Sequence, residues 1–273
     1  MNHGIDVHGA KGVIDWERVR GFGVSFAWVK ASEGKTFDDE RFTHNRRAAK
    51  AAGIRIGAYH YARPDNNTPR EEAEHFLRVA KPVAGELLPA LDFEEPKARG
   101  LAPSTLVRWA DDWLEIVEAA IGARPVFYSF PSYISSEMGG GGLALGESHL
   151  WLASFGPNDG KVHSVSPVGV FKRIAAHQFT SKGRVPGVRG SCDRNTLRDS
   201  SLDAITYQGP ASKVKFELWD DERKLAESQS VVAGGAEEAD RYRRFVAFRS
   251  ALALRQLRGE KALGTISIKR RSI

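Results

Sequence analysis

The sequence predicts an α/β fold followed by a small basic α+β appendage. Three observations lead there. Short runs rich in β-branched and aromatic residues recur as far as residue ~195. Helical patterns with short connections fall between them. After residue 206 both the patterning and the charge change. Near-continuous apolar strands alternating with helices suit a parallel sheet covered on both faces, closed as a (β/α) barrel or opened as a doubly wound sheet.

The elements follow in order. Gly4–His8 is a short strand around Ile5 and Val7, and Val24–Ala31 (VSFAWVKA) is the second. Asp38 or Asp39 is placed to cap a helix running to Ala52, where Gly53 is a natural stop. Ile54–Tyr61 is the third strand. Thr68-Pro69-Arg70-Glu71 has capping-box spacing with Pro at the first helical position, and opens a helix through about Ala80. Leu87–Glu94 is a strand that Pro96 ends. Ser104 begins a helix in which Leu106, Trp109, Trp113, Ile116, Val117 and Ala120 recur at three- and four-residue steps, until Gly122. Pro125–Phe130, Leu150–Phe155 and Ile174–Thr180 are further strands, and Gly139–Gly142 reads as a surface loop.

The last quarter has a different pattern. Lys213–Trp219 alternates polar and apolar residues, Asp220–Lys224 is a polar turn, and Leu225–Val232 returns as a second strand. Glu237–Arg258 is a helix pattern with acids in its first turn and Arg255 and Arg258 in its last. Thr265–Ile268 is a final short strand. The expected division is a domain over 1–206 and a β-β-α-β module over 207–273.

The chain has 273 residues and a formal charge of +6. Residues 1–206 carry 26 basic and 25 acidic side chains, and 207–273 carry 14 and 9, so the tail supplies almost all the excess. No run of 18 apolar residues offers a membrane-spanning helix. The single cysteine, Cys192, excludes an internal disulfide and reads as a buried small residue. There is no GxGxxG after the first strand and no GxxxxGK[ST], which counts against nucleotide-binding folds. Eight histidines show neither HExxH nor tight spacing, so no metal is expected, and no cofactor. Ser129 lacks the GxSxG elbow of a hydrolase serine.

The chemistry points to carboxylates. In Leu88-Pro89-Ala90-Leu91-Asp92-Phe93-Glu94, residues two apart share a strand face, so Asp92 and Glu94 project together, roughly 7 Å apart along the strand. Both lie at its C-terminal end, where a (β/α) barrel keeps its active site. One proton donor and one anion at such a spacing is what glycosidic hydrolysis needs. The plainer reading is a pair of surface acids beside a turn. Asp6, Glu33 and Asp193 recur at other strand ends, and acids gathered in one pocket would repel and keep one carboxyl protonated. Tyr61, on the same face as Tyr59, is placed to stack on a sugar ring, as are Tyr128 and Trp151. The plainer reading of each is a core aromatic. His60 faces the other way and reads as structural.

In this order the segments resemble family 25 of the glycoside hydrolases, the muramidases often called Chalaropsis-type lysozymes. Gly4-Ile5-Asp6-Val7 with Ile14-Asp15-Trp16 resembles the family's opening. Phe26–Gly34, Gly57-Ala58-Tyr59-His60-Tyr61 and Leu88–Glu94 resemble its next strands. Leu150-Trp151-Leu152-Ala153, Gln178-Phe179-Thr180 and Gly187-Val188 with Asp193 and Asn195 resemble the rest. The likeness covers residues ~3–197. It implies a shortened (β/α)8-like barrel with few helices, and cleavage of the β-1,4 bond between N-acetylmuramic acid and N-acetylglucosamine in bacterial peptidoglycan. It implies Glu94 as general acid, with Asp92, Asp6 and Asp193 lining the cleft and stabilising positive charge. Glu33, Tyr61, Tyr128, Trp151 and Gln178 are the expected substrate-binding residues. The route could run through the substrate's own acetamido oxygen or through a carboxylate. Three places depart from the family pattern: His8-Gly9-Ala10-Lys11-Gly12 after Asp6, Ser32 for the usual Thr, and His177 where Trp often precedes the Gln. They bear on substrate preference, since the acids are intact.

Two other classes remain. A glycan-binding module without turnover would keep the barrel, but the four acids give it no support. A nucleic-acid binder rests on pI alone, and the near-neutral barrel speaks against it; no nucleic acid is expected. The basic tail reads either as a helix packed through Phe245, Phe248 and Leu252, or as a binder of anionic cell-wall polymers or a membrane surface. The start MNHGIDVHG has no basic n-region or apolar h-region, so the expectation is an enzyme made in the cytoplasm that reaches the wall on release, as a phage endolysin does.

Overall fold

The computed structural model describes residues 2–94, 100–142 and 144–209, and within 210–273 the backbone of four strands. The chain divides into two compact units, 1–209 and 210–273.

The first unit is a closed barrel. β1 (His3–Val7), β2 (Val24–Glu33), β3 (Phe37–Asp38), β4 (Arg55–Tyr61), β5 (Ala90–Asp92), β6 (Val126–Ser129), β7 (Leu150–Ala153), β8 (Ala176–Gly183) and β9 (Cys192–Leu197) form one sheet. Its order is β1-β9-β8-β7-β6-β5-β4-β2-β3, and β1 also pairs with β2, which closes eight strands into a ring. The pairs from β2–β4 through β7–β8 are parallel, as is β1–β2, whereas β9 runs antiparallel to both β8 and β1. β3 folds back on the end of β2 as a short ribbon outside the ring.

Four α-helices are found among the described residues: α1 (Trp16–Gly21), α2 (Phe42–Ala51), α3 (Pro69–Ala80) and α4 (Pro103–Ile121). They follow β1, β3, β4 and β5 in the chain. Among the described residues, no α-helix follows β6, β7 or β8; the β6–β7 connection holds a short π-helix (Tyr133–Glu137) and a 3-10 turn (Leu145–Glu147), and this is how the barrel is shortened. Large aromatics fill it: Trp28 stacks on Trp151 with ring centroids 4.3 Å apart. Gly57 on β4 makes room, because a Cβ there would lie 2.7 Å from Leu87 and 2.9 Å from the Trp28 ring. The Trp28 indole donates to the Leu88 carbonyl at 3.1 Å, so its one polar atom is satisfied. Outside the ring, α4 buries Leu106, Trp109, Trp113 and Val117, and Trp113 stacks on His60 at 5.4 Å. His60 itself is fully buried between Ser32 and Glu72.

Several expectations meet the structure closely, and others are corrected. The capping box at Thr68 and Glu71 is present in full, and Gly122 ends α4 in the left-handed conformation. α2 begins at Phe42 without a side-chain cap; Asp39 instead accepts the Gly9 and Arg41 N–H groups at 2.7 and 2.9 Å. β5 spans only Ala90–Asp92; just before it, Leu87 donates to the Ile56 carbonyl of β4 and bridges to Thr206. Glu33 belongs to β2 and does not follow it. The strand β9 is unexpected from Cys192-Asp193-Arg194-Asn195-Thr196-Leu197, a run with little apolar character. Gly139–Gly142 is a packed turn: Gly140 bonds to Ile134 and Val170, and a Cβ on Gly169 would strike the Gly140 carbonyl. Tyr207 is buried on the barrel, its hydroxyl donating to the Ile121 carbonyl, so the first unit runs three residues past the expected boundary.

In the second unit, β10 (Lys213–Asp220) is antiparallel to β11 (Arg223–Glu227), β12 (Val231–Val232) and β13 (Ile266–Ser272). The helix expected over 237–258 lies outside the described residues. No helix among the described residues is long and apolar enough to cross a membrane.

The α3 cap gives a direct test of local energetics. Thr68→Ala removes the side-chain acceptor of the Glu71 N–H and is expected to destabilise the barrel by about 1 kcal/mol, read as a lower urea midpoint with an unchanged slope. An unshifted midpoint would show that the cap is dispensable.

Candidate active site

Parallel strands deliver their C-terminal ends to one mouth of the barrel. Asp6 is the fourth residue of β1, Asp92 ends β5, and Glu94 follows two residues later. Asp193 arrives from the opposite direction on β9. Its Cα is registered directly against that of Asp6. Residues directly opposite in an antiparallel pair project to the same face with Cβ atoms roughly 5 Å apart. Four acids from three parts of the chain therefore gather at one place. Asp6 and Asp92 are each 9 % exposed, and Asp193 and Glu94 are half-buried above them.

A network of neutral donors holds Asp6 from below. Its Oδ1 accepts from Gln178 Nε2 at 2.9 Å and from Asn195 Nδ2 at 2.8 Å. Each amide is itself oriented. Trp151 Nε1, which can only donate, gives its proton to Asn195 Oδ1 at 2.7 Å, and the Tyr128 hydroxyl donates to Gln178 Oε1 at 3.1 Å. Both amides must then turn their NH2 groups toward Asp6. Asp92 differs: its Oδ1 is buried and meets no hydrogen-bond partner.

Crowding of buried acids sets their protonation. Burial, then the facing Asp193 carboxyl, push Asp6 up to about 8 against the pull of the two amides. Burial, then Glu94 and Asp6, raise Asp92 well above the usual carboxylate range, with Lys30 pulling the other way. Asp193 is raised by burial and drawn back by Lys11, whose ammonium is held by the Ser191 carbonyl. Burial and crowding thus favour the protonated forms of the two deepest acids. Burial also raises Tyr59 and Tyr128, which stay neutral donors beside the acids.

The expected substrate-binding residues divide. Trp151 is 2 % exposed and packed on Trp28 and Tyr128. Gln178 and Tyr128 are also buried, and their described contacts hold Asp6 in place. Glu33 sits at the rim, clamped by Lys30 and Arg63; burial favours its neutral form, but these two cations outweigh it and hold the carboxyl below its ordinary value. Tyr61 is half-buried beside them, with Lys30 Nζ 4.7 Å and Arg63 Cζ 4.9 Å from its ring centre. Sequence reasoning left out Asn195 and Lys30 as site residues. The signal for Lys30 was its place two residues after Trp28, on the inward face of β2. Asn195 stands two residues after Asp193 in the segment that resembles the family's close, but nothing in the sequence marks β9 as a strand that turns both side chains to one face.

A closed eight-stranded barrel that gathers four carboxyls at its C-terminal mouth has the groups that glycosidic hydrolysis uses. Sequence comparison agrees: residues 5–188 match the model of the glycosyl hydrolases family 25, and the chain belongs to that family. It is 32 % identical over 205 residues to lysozyme M1 of Streptomyces globisporus, covering 72 % of this chain and 68 % of that protein. The crystal structure of a bacterial lysozyme from Streptomyces coelicolor superimposes with a TM-score of 0.69 at 30 % identity, over 75 % of this chain and 95 % of that one. The Clostridium perfringens spore cortex lytic enzyme SleM shares the fold, with a TM-score of 0.66 at 20 % identity, over 99 % of this chain and 92 % of that one.

The raised Asp6 value makes stability depend on pH. Folding favours the protonated form, so this contribution is complete below about pH 4 and is lost as pH rises through about 8. The urea midpoint of the wild type is expected to fall across that window, and Asp6→Asn to flatten the fall. An equally steep fall in Asp6→Asn would place the retained proton elsewhere.

Proposed function

We propose that this protein is a peptidoglycan hydrolase, an N-acetylmuramidase that cleaves the β-1,4 bond between N-acetylmuramic acid and N-acetylglucosamine. The observation that carries the reading is the set of four carboxyls at the barrel mouth, in a chain of glycosyl hydrolases family 25. Glu94 stands beyond the end of β5, less buried than Asp92, and is the group that protonates the leaving oxygen. Asp193 is the other half-buried acid and faces the positive charge that develops on the sugar. Asp6 and Asp92 lie deeper, where burial and neighbouring acids favour their protonated forms. Tyr128, Gln178, Trp151 and Asn195 fix Asp6 so that the site is preorganised before substrate arrives.

The test is hydrolysis of purified bacterial walls. New reducing ends without new free amines mark a glycosidase. Glu94→Gln is expected to lower their release about 10³-fold, the range of a lost general acid. No reducing ends from wild type on walls of any type would overturn the assignment.

The wider role we propose is that of an endolysin: made in the cytoplasm, and acting on the host wall once released. Expression in the host cytoplasm is then expected to be silent until the membrane is permeabilised, and to lyse the cells at once afterwards. The C-terminal unit holds the enzyme on anionic wall polymers. Its charge supports this, as does the pairing of β10 with β13, which registers Lys215 with Arg271 and Glu217 with Lys269. Wall binding by the full chain should weaken steeply with salt, and Lys215→Glu combined with Arg271→Glu should remove most of that salt dependence. Unchanged binding in this double variant would rule the strand pair out.

A further inference from the structure

We propose that the β2–β3 hairpin carries an outlying sugar subsite, in which Phe37 stacks on a pyranose ring of the glycan strand beyond the sugars held at the acids. The subsite rests on the reading of the protein as a glycan hydrolase and extends it.

Two aromatic side chains are exposed among the described residues, Phe22 and Phe37. Phe22 precedes β2 and so lies at the far end of that strand. Phe37 is 51 % exposed and stands at the mouth, registered with Glu33 at the end of β2. It is continuous with the acids. Lys30 Nζ lies 5.6 Å from the Phe37 ring centre and 4.7 Å from that of Tyr61, and Tyr61 is registered beside Asp92 on β5. Phe37, Lys30 and Tyr61 thus form a strip from the rim to the catalytic carboxyls. Lys30 and Arg63 both pair with the carboxylate of Glu33, so two cations lie beside the strip. An aromatic face with neighbouring cations suits a sugar strand that carries carboxylates, because the negative ring face meets the sugar C–H groups.

The hairpin is also held still. Both ring nitrogens of the buried His75 face oxygens of this loop, Gly34 O at 2.7 Å and Asp38 Oδ1 at 2.6 Å. Asp39 ties the loop to Gly9 and to the start of α2. On so fixed a loop, little order is lost when the Phe37 ring is covered.

The test reads binding without turnover. In the Glu94→Gln background the full chain is sedimented with undigested, purified glycan. Phe37→Ala is expected to raise Kd at least fivefold, Phe37→Trp to stay within twofold of the parent, and Phe22→Ala to leave Kd unchanged. In the active chain Phe37→Ala should lose more in KM on walls than in kcat. Equal binding by Phe37→Ala and its parent would overturn the subsite, as would equal losses in Phe37→Ala and Phe37→Trp. A chain that binds glycan through Phe37 yet releases no reducing ends would overturn the hydrolase reading and leave the subsite standing.

Discussion

Two carboxyl groups face each other across one antiparallel strand pair, and the site depends on what that costs. Asp6 and Asp193 are forced together by register, and like charges in that position repel. Burial removes the water that would screen them. The cluster answers by keeping a proton, and by surrounding Asp6 with oriented neutral donors. This explains why the floor of the mouth is built from Trp, Tyr, Asn and Gln. A cation there would hold Asp6 ionised. Neutral amides fix its geometry and still leave the proton bound.

The cations stand instead at the rim. Lys30, Arg63 and Glu33 form a chain of ion pairs, and Arg63 also donates its backbone N–H to Glu72, behind the barrel wall. Glu72 in turn holds His60, which lies against Trp113 of α4. The rim is thereby tied to the packed outer layer. The mouth therefore has an acidic floor and a lip that carries cations.

Much of this could be read along the sequence, and the losses have physical causes. The helices at Pro69 and Pro103 were legible because a capping box, a proline and a helical stripe agree on them. The acids at 92 and 94 were legible because strand alternation places them together. β9 was not, since it is short, polar and antiparallel in an otherwise parallel ring, so neither composition nor alternation marks it. Missing β9 hid the pairing of Asp193 with Asp6 and the role of Asn195. The depth of the aromatics was not legible either. Period-two spacing puts Tyr128 and Trp151 on the inner face, but it does not say how deep along the barrel axis they lie. Trp151 stacks on Trp28 and reaches the acids through its bond to Asn195.

The bonds on Asp6 also bear on how the molecule comes into being. Gln178 is 172 residues away along the chain and Asn195 is 189. β1 is made first, and its second neighbour in the ring is made last. Contacts of such long range are slow to find, because the entropy of closing the chain must be lost before they form. While the chain is being synthesised, Asp6 has no β9 beside it, and the mouth is an open edge. Catalytic competence therefore arrives with the closing strand, and a chain cut short before residue 192 would have three-quarters of the acids and no site.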